Sequence, residues 1–139
     1  MSYAPLQRFK DVFNQLDSSN LHLLDEIYHR GVAFSDPVHQ LQGLPALRDY
    51  YARLYDGVLT CRFEFEDEIV QDRRAALVWV MKFRHARFHK GQELVLSGVS
   101  HLKFDEKVFY HRDFFDMGEF IYERVPFLST VIGAIKKRL

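Results

Sequence analysis

Two aspartates stand where a carboxylate could accept and return protons. Asp36 directly precedes Pro37 at the end of a short apolar run, and Asp113 lies two residues after His111 in an alternating segment. Side chains two apart on a strand point to the same face, so His111 and Asp113 can form a hydrogen-bonded pair that tunes the imidazole. Two carboxylates in one pocket are the minimum for paired acid and base catalysis. Asp36 and Asp113 would supply such a pair if the fold brings both into one pocket.

Both aspartates also have a structural interpretation. An aspartate before proline often caps the turn with its own side chain, and Asp36 could serve only that purpose. Asp113 could instead be locked in a salt bridge with the neighbouring Arg112. The sequence leaves these alternatives open, because it does not show which way either side chain points.

Other common kinds of reactive centre are not indicated. The chain has seven histidines, but His85 and His89, which are four apart, fit the end of a strand rather than one face of a helix. A metal site is therefore not expected. The single cysteine, Cys61, fits a small apolar strand residue better than a nucleophile. The glycines are isolated and form no phosphate-binding loop, so we expect neither a metal nor a cofactor.

The composition is that of one globular domain spanning residues 1–139. Lys and Arg together number 19, as do Asp and Glu, so the formal net charge is zero. A nucleic-acid partner, which usually requires a basic excess, is not expected. The first residues lack the features of a signal peptide, and no apolar run reaches the ~18 residues of a membrane span. These features predict a cytoplasmic protein. Aromatic residues make up 15% of the chain, a share high enough to ask what they pack around.

Three helices are predicted in the first part of the chain, where apolar residues recur every three or four positions. A short strand is expected between the second and the third helix, leading into Asp36 and Pro37. In chain order these elements are a helix over 3–16, a helix that buries Leu23, Leu24, Ile27 and Tyr28 and ends near Gly31, a strand over 32–34, and a helix from Pro45 to about Gly57.

From Cys61 onward apolar residues alternate with polar ones, a period typical of strands. Short turns separate the alternating segments, which favours an antiparallel meander with the helices packed on one face. The four predicted strands are one that begins at Cys61 and three that cover 75–85, 93–104 and 108–115.

The last segment, residues 117–139, is expected to be a helical extension of the domain. Its apolar residues return to helical spacing, and Lys136, Lys137 and Arg138 lie near its end. We expect it to fold back over the domain or over a partner subunit. Contact between this basic tail and a membrane surface is the less favoured alternative.

Two motifs within this framework resemble a known superfamily. The segment Phe34-Ser35-Asp36-Pro37-Val38-His39, followed by Gly43 and a tyrosine-rich helix, is similar to the strand-to-helix junction of the nuclear-transport-factor-2-like superfamily. The segment Tyr110-His111-Arg112-Asp113-Phe114-Phe115-Asp116 resembles the ending of its SnoaL-type polyketide-cyclase-like members. The resemblance covers about residues 3–116. It implies an α+β fold, a cone-shaped half-barrel in which three N-terminal helices pack on a curved, mainly antiparallel sheet and enclose a pocket.

The resemblance also implies which strand faces line that pocket. On the third predicted strand Leu96, Gly98 and Ser100 would point inward, and Gly98 is expected to form a bulge or a bend that curls the sheet. We expect tyrosine hydroxyls from the third helix to reach the cavity and a histidine to hydrogen-bond a ligand at its mouth. The expected ligand-binding residues are His39, Tyr51, Tyr55, Trp79, Met81, Phe83, Ser100, His111 and Phe115.

Within the superfamily, ketosteroid isomerase uses the aspartate of a matching Asp-Pro segment as its general base, which implies the same position for Asp36. Its oxyanion donors are a tyrosine and a protonated aspartic acid, and these positions fall near Val12 and Ser100 in this chain. Lost oxyanion donors cost roughly 100-fold or more in rate each, so steroid isomerase activity is not expected to transfer. The Asp-Arg-Asp triad of limonene-epoxide hydrolase has no counterpart on the third strand either.

Three functions follow from these features. The first is binding of a small, largely apolar or aromatic metabolite in a conical pocket, with or without cofactor-independent acid/base turnover by Asp36 and Asp113. The second is an isomerase, cyclase or dehydratase similar to ketosteroid isomerase or the SnoaL-type cyclases. The third is a non-catalytic dimeric protein-interaction module.

The pocket and the oligomer bear on these functions differently. A homodimer through the outer sheet face, where Val80, Val95, Val99 and His101 are expected, is compatible with all three functions. A cavity of roughly 300 Å³ or more favours the first two functions, whereas a cavity packed shut by aromatic rings favours the third.

Overall fold

Strands dominate the part of the chain that the structure describes. The computed structural model describes residues 4–115, and the predicted helical tail over 117–139 lies outside them. The helices are α1 (Ala4–Phe13), α2 (Leu24–Ile27) and α3 (Leu44–Tyr55), with short 3-10 helices at Leu21–Leu23 and His89–Gly91. The strands are β1 (Tyr28–Ser35), β2 (Gln40–Gln42), β3 (Val58–Gln71), β4 (Arg74–His85), β5 (Leu94–Phe104) and β6 (Val108–Phe115).

The strands form one sheet in the order β2-β1-β6-β5-β4-β3. Neighbouring strands are antiparallel except β1 and β6, which run parallel. Buried side chains of the helices and inward side chains of the strands belong to one hydrophobic core, so the helices cover one face of the sheet. This arrangement confirms the predicted α+β fold with helices packed on a mainly antiparallel sheet.

The predicted length of the second helix is wrong. α2 is a single turn that ends at Ile27, and Tyr28 already has extended backbone angles, with φ −115° and ψ 142°. The Tyr28 side chain is 1% exposed, and the residue pairs with Val108 of β6. Burial against the sheet therefore overrides the local helical spacing at this point. The predicted strand over 32–34 is the second half of the longer strand β1.

Two smaller corrections concern the segments on either side of α3. The edge strand β2 was not predicted, because its three residues, Gln-Leu-Gln, are too few to show an alternating pattern. α3 ends at Tyr55, Gly57 has a left-handed φ of 89°, and Val58 already belongs to β3. The first long strand therefore starts three residues before the predicted Cys61.

Alternation along β4, β5 and β6 places the candidate site residues on the helix-covered face. Trp79 on β4, Ser100 on β5 and His111 on β6 are all buried. Strand pairing sets Trp79 opposite Gly98 and Ser100 opposite Asp113. The polar side chains of β5 and β6 therefore lie side by side beneath the helices.

Gly98 makes room for an indole ring, and the pairing of β4 with β5 has no bulge at this position. β4 and β5 pair without a register shift at this point, with Trp79 opposite Gly98. A Cβ atom on Gly98 would lie 2.4 Å from Cη2 of Trp79 and 2.8 Å from the carbonyl oxygen of Phe114. The indole therefore lies across the glycine, and no larger residue fits beneath it.

We predict that Gly98→Ala lowers the free energy of unfolding by about 1–3 kcal/mol, the usual cost of overpacking a core. The added methyl group must displace either the Trp79 ring or the β6 backbone. Gly31→Ala is the matched control, because Gly31 also lies in a strand and a Cβ atom there meets nothing within 4 Å. Urea denaturation followed by circular dichroism measures both variants, and equal stability would contradict this explanation of Gly98.

Candidate functional site

A small cavity lies between α1 and the inward face of the sheet. Its volume is about 20 Å³, room for roughly one water-sized group. This volume is far below the roughly 300 Å³ or more of a typical ligand pocket, because aromatic rings fill the space. The described residues that line it are Phe9, Phe13, Phe63, Phe65, Trp79, Ser100, His111 and Asp113.

The polar side of the cavity is a chain of hydrogen bonds that converges on one carboxylate oxygen. Oδ1 of Asp113 accepts a hydrogen bond from Oγ of Ser100 at 2.5 Å and lies 2.6 Å from Nε2 of His111. Nε1 of Trp79 donates to Oγ of Ser100 at 2.9 Å. The indole, the hydroxyl and the imidazole thereby hold Asp113 in a single orientation.

Tyr28 completes this chain on the far side of the imidazole. Its hydroxyl lies 2.7 Å from Nδ1 of His111 and 3.4 Å from the hydroxyl of Tyr51. Burial raises the pKa of the Tyr28 phenol well above its usual value, and the charge of Asp113 adds to the rise. The phenol therefore stays protonated and donates to Nδ1, which leaves the proton of a neutral His111 on Nε2, facing Asp113.

Asp113 is the member of this chain that reaches the cavity mouth. Its side chain is 19% exposed, whereas that of His111 is 3% exposed. The hydrogen bonds among residues 4–115 engage only Oδ1 of Asp113, so Oδ2 has no donor within that range. Arg112 points to the other face, where its guanidinium lies 4.6 Å from the Phe114 ring centre. Asp113 therefore makes no salt bridge with Arg112, and the basic side chain in contact with it is that of His111, at 2.6 Å.

Asp36 occupies a different place from the one expected of a catalytic base. Its side chain is 3% exposed and does not line the cavity. Oδ1 accepts the backbone N–H groups of Val38 and His39 at 2.8 and 2.7 Å, and Oδ2 accepts the hydroxyl of Tyr50. Three donors thus surround this carboxylate, the arrangement expected of an aspartate that caps the turn at Pro37.

The surroundings of Asp36 also contain a histidine nitrogen without a hydrogen bond. Nδ1 of His39 is buried, makes no hydrogen bond in the described structure, and lies 3.4 Å from Oδ1 of Asp36. Burial raises the pKa of the Tyr50 phenol well above its usual value, and the carboxylate of Asp36 raises it further. Tyr50 therefore remains a hydrogen-bond donor to Asp36.

The other expected ligand-binding residues lie at different distances from the cavity. Tyr51 packs against Phe13 and reaches the hydroxyl of Tyr28, whereas Met81 and Phe115 pack at the edge of the main core. Phe83 belongs to a separate small cluster with Leu94, and the hydroxyl of Tyr55 pairs with the Cys61 thiol. Of the nine expected ligand-binding residues, only Trp79, Ser100 and His111 line the small cavity; the other six, which do not, are His39, Tyr51, Tyr55, Met81, Phe83 and Phe115.

Sequence reasoning missed Tyr28 and four phenylalanines of the cavity wall. Tyr28 was assigned to a helix, although the spacing of Tyr28, Val32 and Phe34 also fits one face of a strand. The helical spacing of Phe9 and Phe13 indicates core residues of α1 and gives no sign of a cavity. The alternation of Phe63 and Phe65 on β3 places them on one face but does not indicate that they meet α1.

A second, much wider space lies on another side of the molecule. It measures about 1830 Å³ and is open to solvent. Its walls mix cations and carboxylates, and several of these already pair with each other, such as Arg48 with Asp25 at 3.5 Å and His29 with Asp105 at 2.8 Å. Ligand sites usually have apolar walls with a few convergent polar groups, which describes the small aromatic cavity better than this groove.

Two further features of the described residues limit the kinds of site. Within residues 4–115, no three His, Cys, Asp or Glu side chains converge as a metal site requires. None of the helices in that range has the length and apolar character needed to cross a bilayer.

Solved structures share this fold at low sequence identity. A candidate SnoaL-like polyketide cyclase from Shewanella putrefaciens superimposes with a TM-score of 0.70 at 19% identity, over 84% of this chain and 92% of that one. An NTF2-like protein of unknown function from Burkholderia pseudomallei gives 0.74 at 14% identity, over 88% and 97%. A protein of ketosteroid isomerase-like fold from Catenulispora acidiphila, solved in complex with trimethylamine, gives 0.70 at 7% identity, over 85% and 89%.

Comparison of sequences identifies the family of this protein more directly than these structures do. No curated protein matches it in sequence at a significant level. The family model of the SnoaL-like domain matches residues 6–111, a range that runs from α1 to His111 on β6. Since this match covers most of the chain and agrees with the fold, the protein belongs to the SnoaL-like domain family.

Proposed function

We propose that this protein binds a small, largely apolar or aromatic metabolite in the aromatic cavity and that Asp113 exchanges a proton with it. The observation that carries the proposal is the Oδ2 atom of Asp113, which no described donor engages, on a carboxylate that lines a cavity walled mostly by phenylalanine and tryptophan rings. Aromatic walls favour a flat apolar ligand, and a few convergent polar groups orient it.

The hydrogen bonds behind Asp113 suit a proton-transfer role. Ser100 and His111 hold its carboxylate, and Tyr28 holds the imidazole of His111. A well-positioned acid or base contributes roughly 10²–10⁴-fold to a reaction rate. Isomerisation, cyclisation and dehydration all proceed by proton transfer, so this single group supports cofactor-independent chemistry of that class.

A metabolite needs more space than the cavity offers in this conformation. Phe63 and Phe65 are only partly buried, and both stand on β3 at the rim of the sheet. We propose that these two rings turn outward when a ligand enters, since partly exposed side chains change rotamer within nanoseconds. The ligand would then occupy the volume that the rings now fill.

Asp36 has a structural role in this proposal. Its carboxylate is already bonded to Tyr50 and to two backbone N–H groups, so it has little capacity left for a substrate. Through Tyr50 it fixes the turn after β1 to the middle of α3. Proton transfer is therefore assigned to Asp113 rather than shared between the two aspartates.

A second proposal concerns assembly, and rests on the outer face of the sheet. Ile69 is 61% exposed and Val95 36% exposed there, beside the partly buried Val78, Val80 and Val99. Contiguous exposed apolar surface of this kind usually marks a protein interface. We propose an isologous homodimer in which these apolar faces meet.

Removal of the Asp113 charge should weaken the ligand site without unfolding the protein. We expect Asp113→Asn to retain the hydrogen bonds at Oδ1, because the amide oxygen replaces the carboxylate oxygen, while ligand affinity or turnover falls at least about tenfold. Native mass spectrometry under gentle and denaturing conditions detects a small molecule released only on denaturation. Asp49→Asn, an exposed substitution in the wide groove, is the control. No bound molecule in any form of the protein would favour a non-catalytic interaction module.

Substitutions at Asp36 should act on stability instead. Asp36→Ala removes three hydrogen bonds and should lower the free energy of unfolding by about 1–3 kcal/mol. Asp36→Asn should cost less, because its amide oxygen can still accept the two backbone N–H groups. Both are measured by urea denaturation. If Asp36→Asn instead kept full stability and lost as much ligand binding as Asp113→Asn, Asp36 would be the base.

A charged residue on the outer face should dissociate the dimer. We expect wild-type protein to elute with the mass of two chains in size-exclusion chromatography with light scattering. Ile69→Asp should shift the mass toward one chain, because the charge would be buried in the interface. Leu54→Asp is the matched control, since Leu54 is 40% exposed on α3, away from the sheet face. An equal shift in both variants would argue against this interface.

A further inference from the structure

The hydrogen-bond donors around the aromatic cavity are already used within the protein. The N–H of Trp79 is donated to Ser100, and the O–H of Ser100 is donated to Asp113. The Nε2 proton of His111 is also directed at Asp113, and the phenol of Tyr28 at Nδ1 of His111. These bonds leave no side-chain donor among the described lining residues for a ligand.

The hydrogen-bond acceptors of the cavity, unlike its donors, are only partly used within the described structure. Oδ1 of Asp113 receives two hydrogen bonds, whereas Oδ2 receives none from the described residues. A carboxylate has about four acceptor positions, so Asp113 retains acceptor capacity that the described residues do not use. The remaining described walls are phenylalanine and tryptophan rings. The cavity thus offers one charged acceptor among hydrocarbon surfaces.

This imbalance determines which polar group a ligand can bring. We infer that the cavity selects an aromatic ring that carries a hydroxyl donor, a phenol, whose O–H binds Oδ2 of Asp113; this deepens the proposed function and depends on it. A hydrogen bond from a neutral hydroxyl to a carboxylate is charge-assisted and short. A ligand with only a carbonyl or ether oxygen would bury that oxygen against a carboxylate with no donor to share.

The ring of Phe63 marks where the ligand ring would lie. It meets Phe13 and Trp79 edge-on, with ring centres 5.8 and 5.5 Å apart and planes at 80° and 82°. It also stacks on Phe65 at 5.9 Å and 17°. These are favourable aromatic geometries, so a ligand ring that replaces Phe63 would inherit the same contacts. Truncation of Phe63 should therefore open a space the size of a benzene ring, as large-to-small core changes do.

The test compares three para-substituted fluorobenzenes that differ only in one polar group, 4-fluorophenol, 4-fluoroanisole and 4-fluorobenzaldehyde, by ¹⁹F NMR titration at neutral pH. They are measured on wild-type protein and on Phe63→Ala. The fluorescence of Trp79, the only tryptophan in the chain, gives a second readout next to Asp113. We expect 4-fluorophenol to bind at least about tenfold more tightly than either acceptor-only probe, the usual effect of one charged hydrogen bond.

Asp113→Asn provides the decisive variant, because it should reverse the preference. Its amide oxygen would take the donors from Ser100 and His111, and its NH₂ group would then face the cavity as a donor. 4-Fluorobenzaldehyde should become the tighter ligand by several-fold. Near-ultraviolet circular dichroism verifies that the variant is folded, and Asp49→Asn should keep the wild-type order of affinities.

The outcomes separate this inference from the proposed function. Equal affinity for all three probes, or an order that Asp113→Asn leaves unchanged, would overturn the phenol preference while the aromatic site itself stood. Failure of every probe to bind both wild-type protein and Phe63→Ala would instead refute the ligand site, and the preference with it.

Discussion

A buried imidazole and a neighbouring carboxylate can be accommodated only if other residues satisfy their hydrogen bonds. His111 is 2% exposed, so both of its ring nitrogens need partners within the protein, and Tyr28 and Asp113 supply them. Asp113 in turn is held by Ser100. These residues stand on β1, β5 and β6, and the parallel pairing of β1 with β6 is what brings Tyr28 within reach. These hydrogen bonds therefore connect strands that are distant in sequence, and they explain why β1 begins at Tyr28.

The same network of hydrogen bonds depends on Gly98, a residue with no side chain. The indole of Trp79 reaches Ser100 by lying across Gly98, and it then presents one edge to Phe63 at the cavity wall. Fully satisfied polar networks in a core favour one arrangement over its competitors, since a partly satisfied network is costly. Gly98 thus connects the packing of β4 on β5 with the orientation of the only carboxylate that lines the described cavity.

The sequence predicted the fold well because alternation and helical spacing are properties of single segments. The strand β6 was predicted with the observed bounds, and its alternation placed His111 and Asp113 on one face. The partners of these residues were not predictable, since Tyr28 and Ser100 reach them through pairing of distant strands. For Asp36 the sequence motif suggested a role that the surrounding contacts do not support. Its motif was read through a resemblance to catalytic aspartates, but Tyr50 and two backbone N–H groups, which the motif does not reveal, occupy its carboxylate.

The polarity of the cavity differs from that of a ketosteroid isomerase, and the difference constrains any chemistry here. That enzyme needs donors that meet the negative charge developing on a substrate oxygen. The resemblance placed the tyrosine donor on α1, but the residue of that helix that lines the cavity here is Phe13, a hydrocarbon ring. The hydroxyl of Ser100 is already donated to Asp113. A reaction that accumulates charge on a ligand carbonyl would therefore find no side-chain donor among the described lining residues. A reaction that begins by moving a proton from the ligand to Asp113 leaves a negative charge on the ligand, and the newly protonated carboxyl of Asp113 is then the described lining group that can donate a hydrogen bond to that charge. The same fold thus supports opposite site polarities through a few side chains on its inward face.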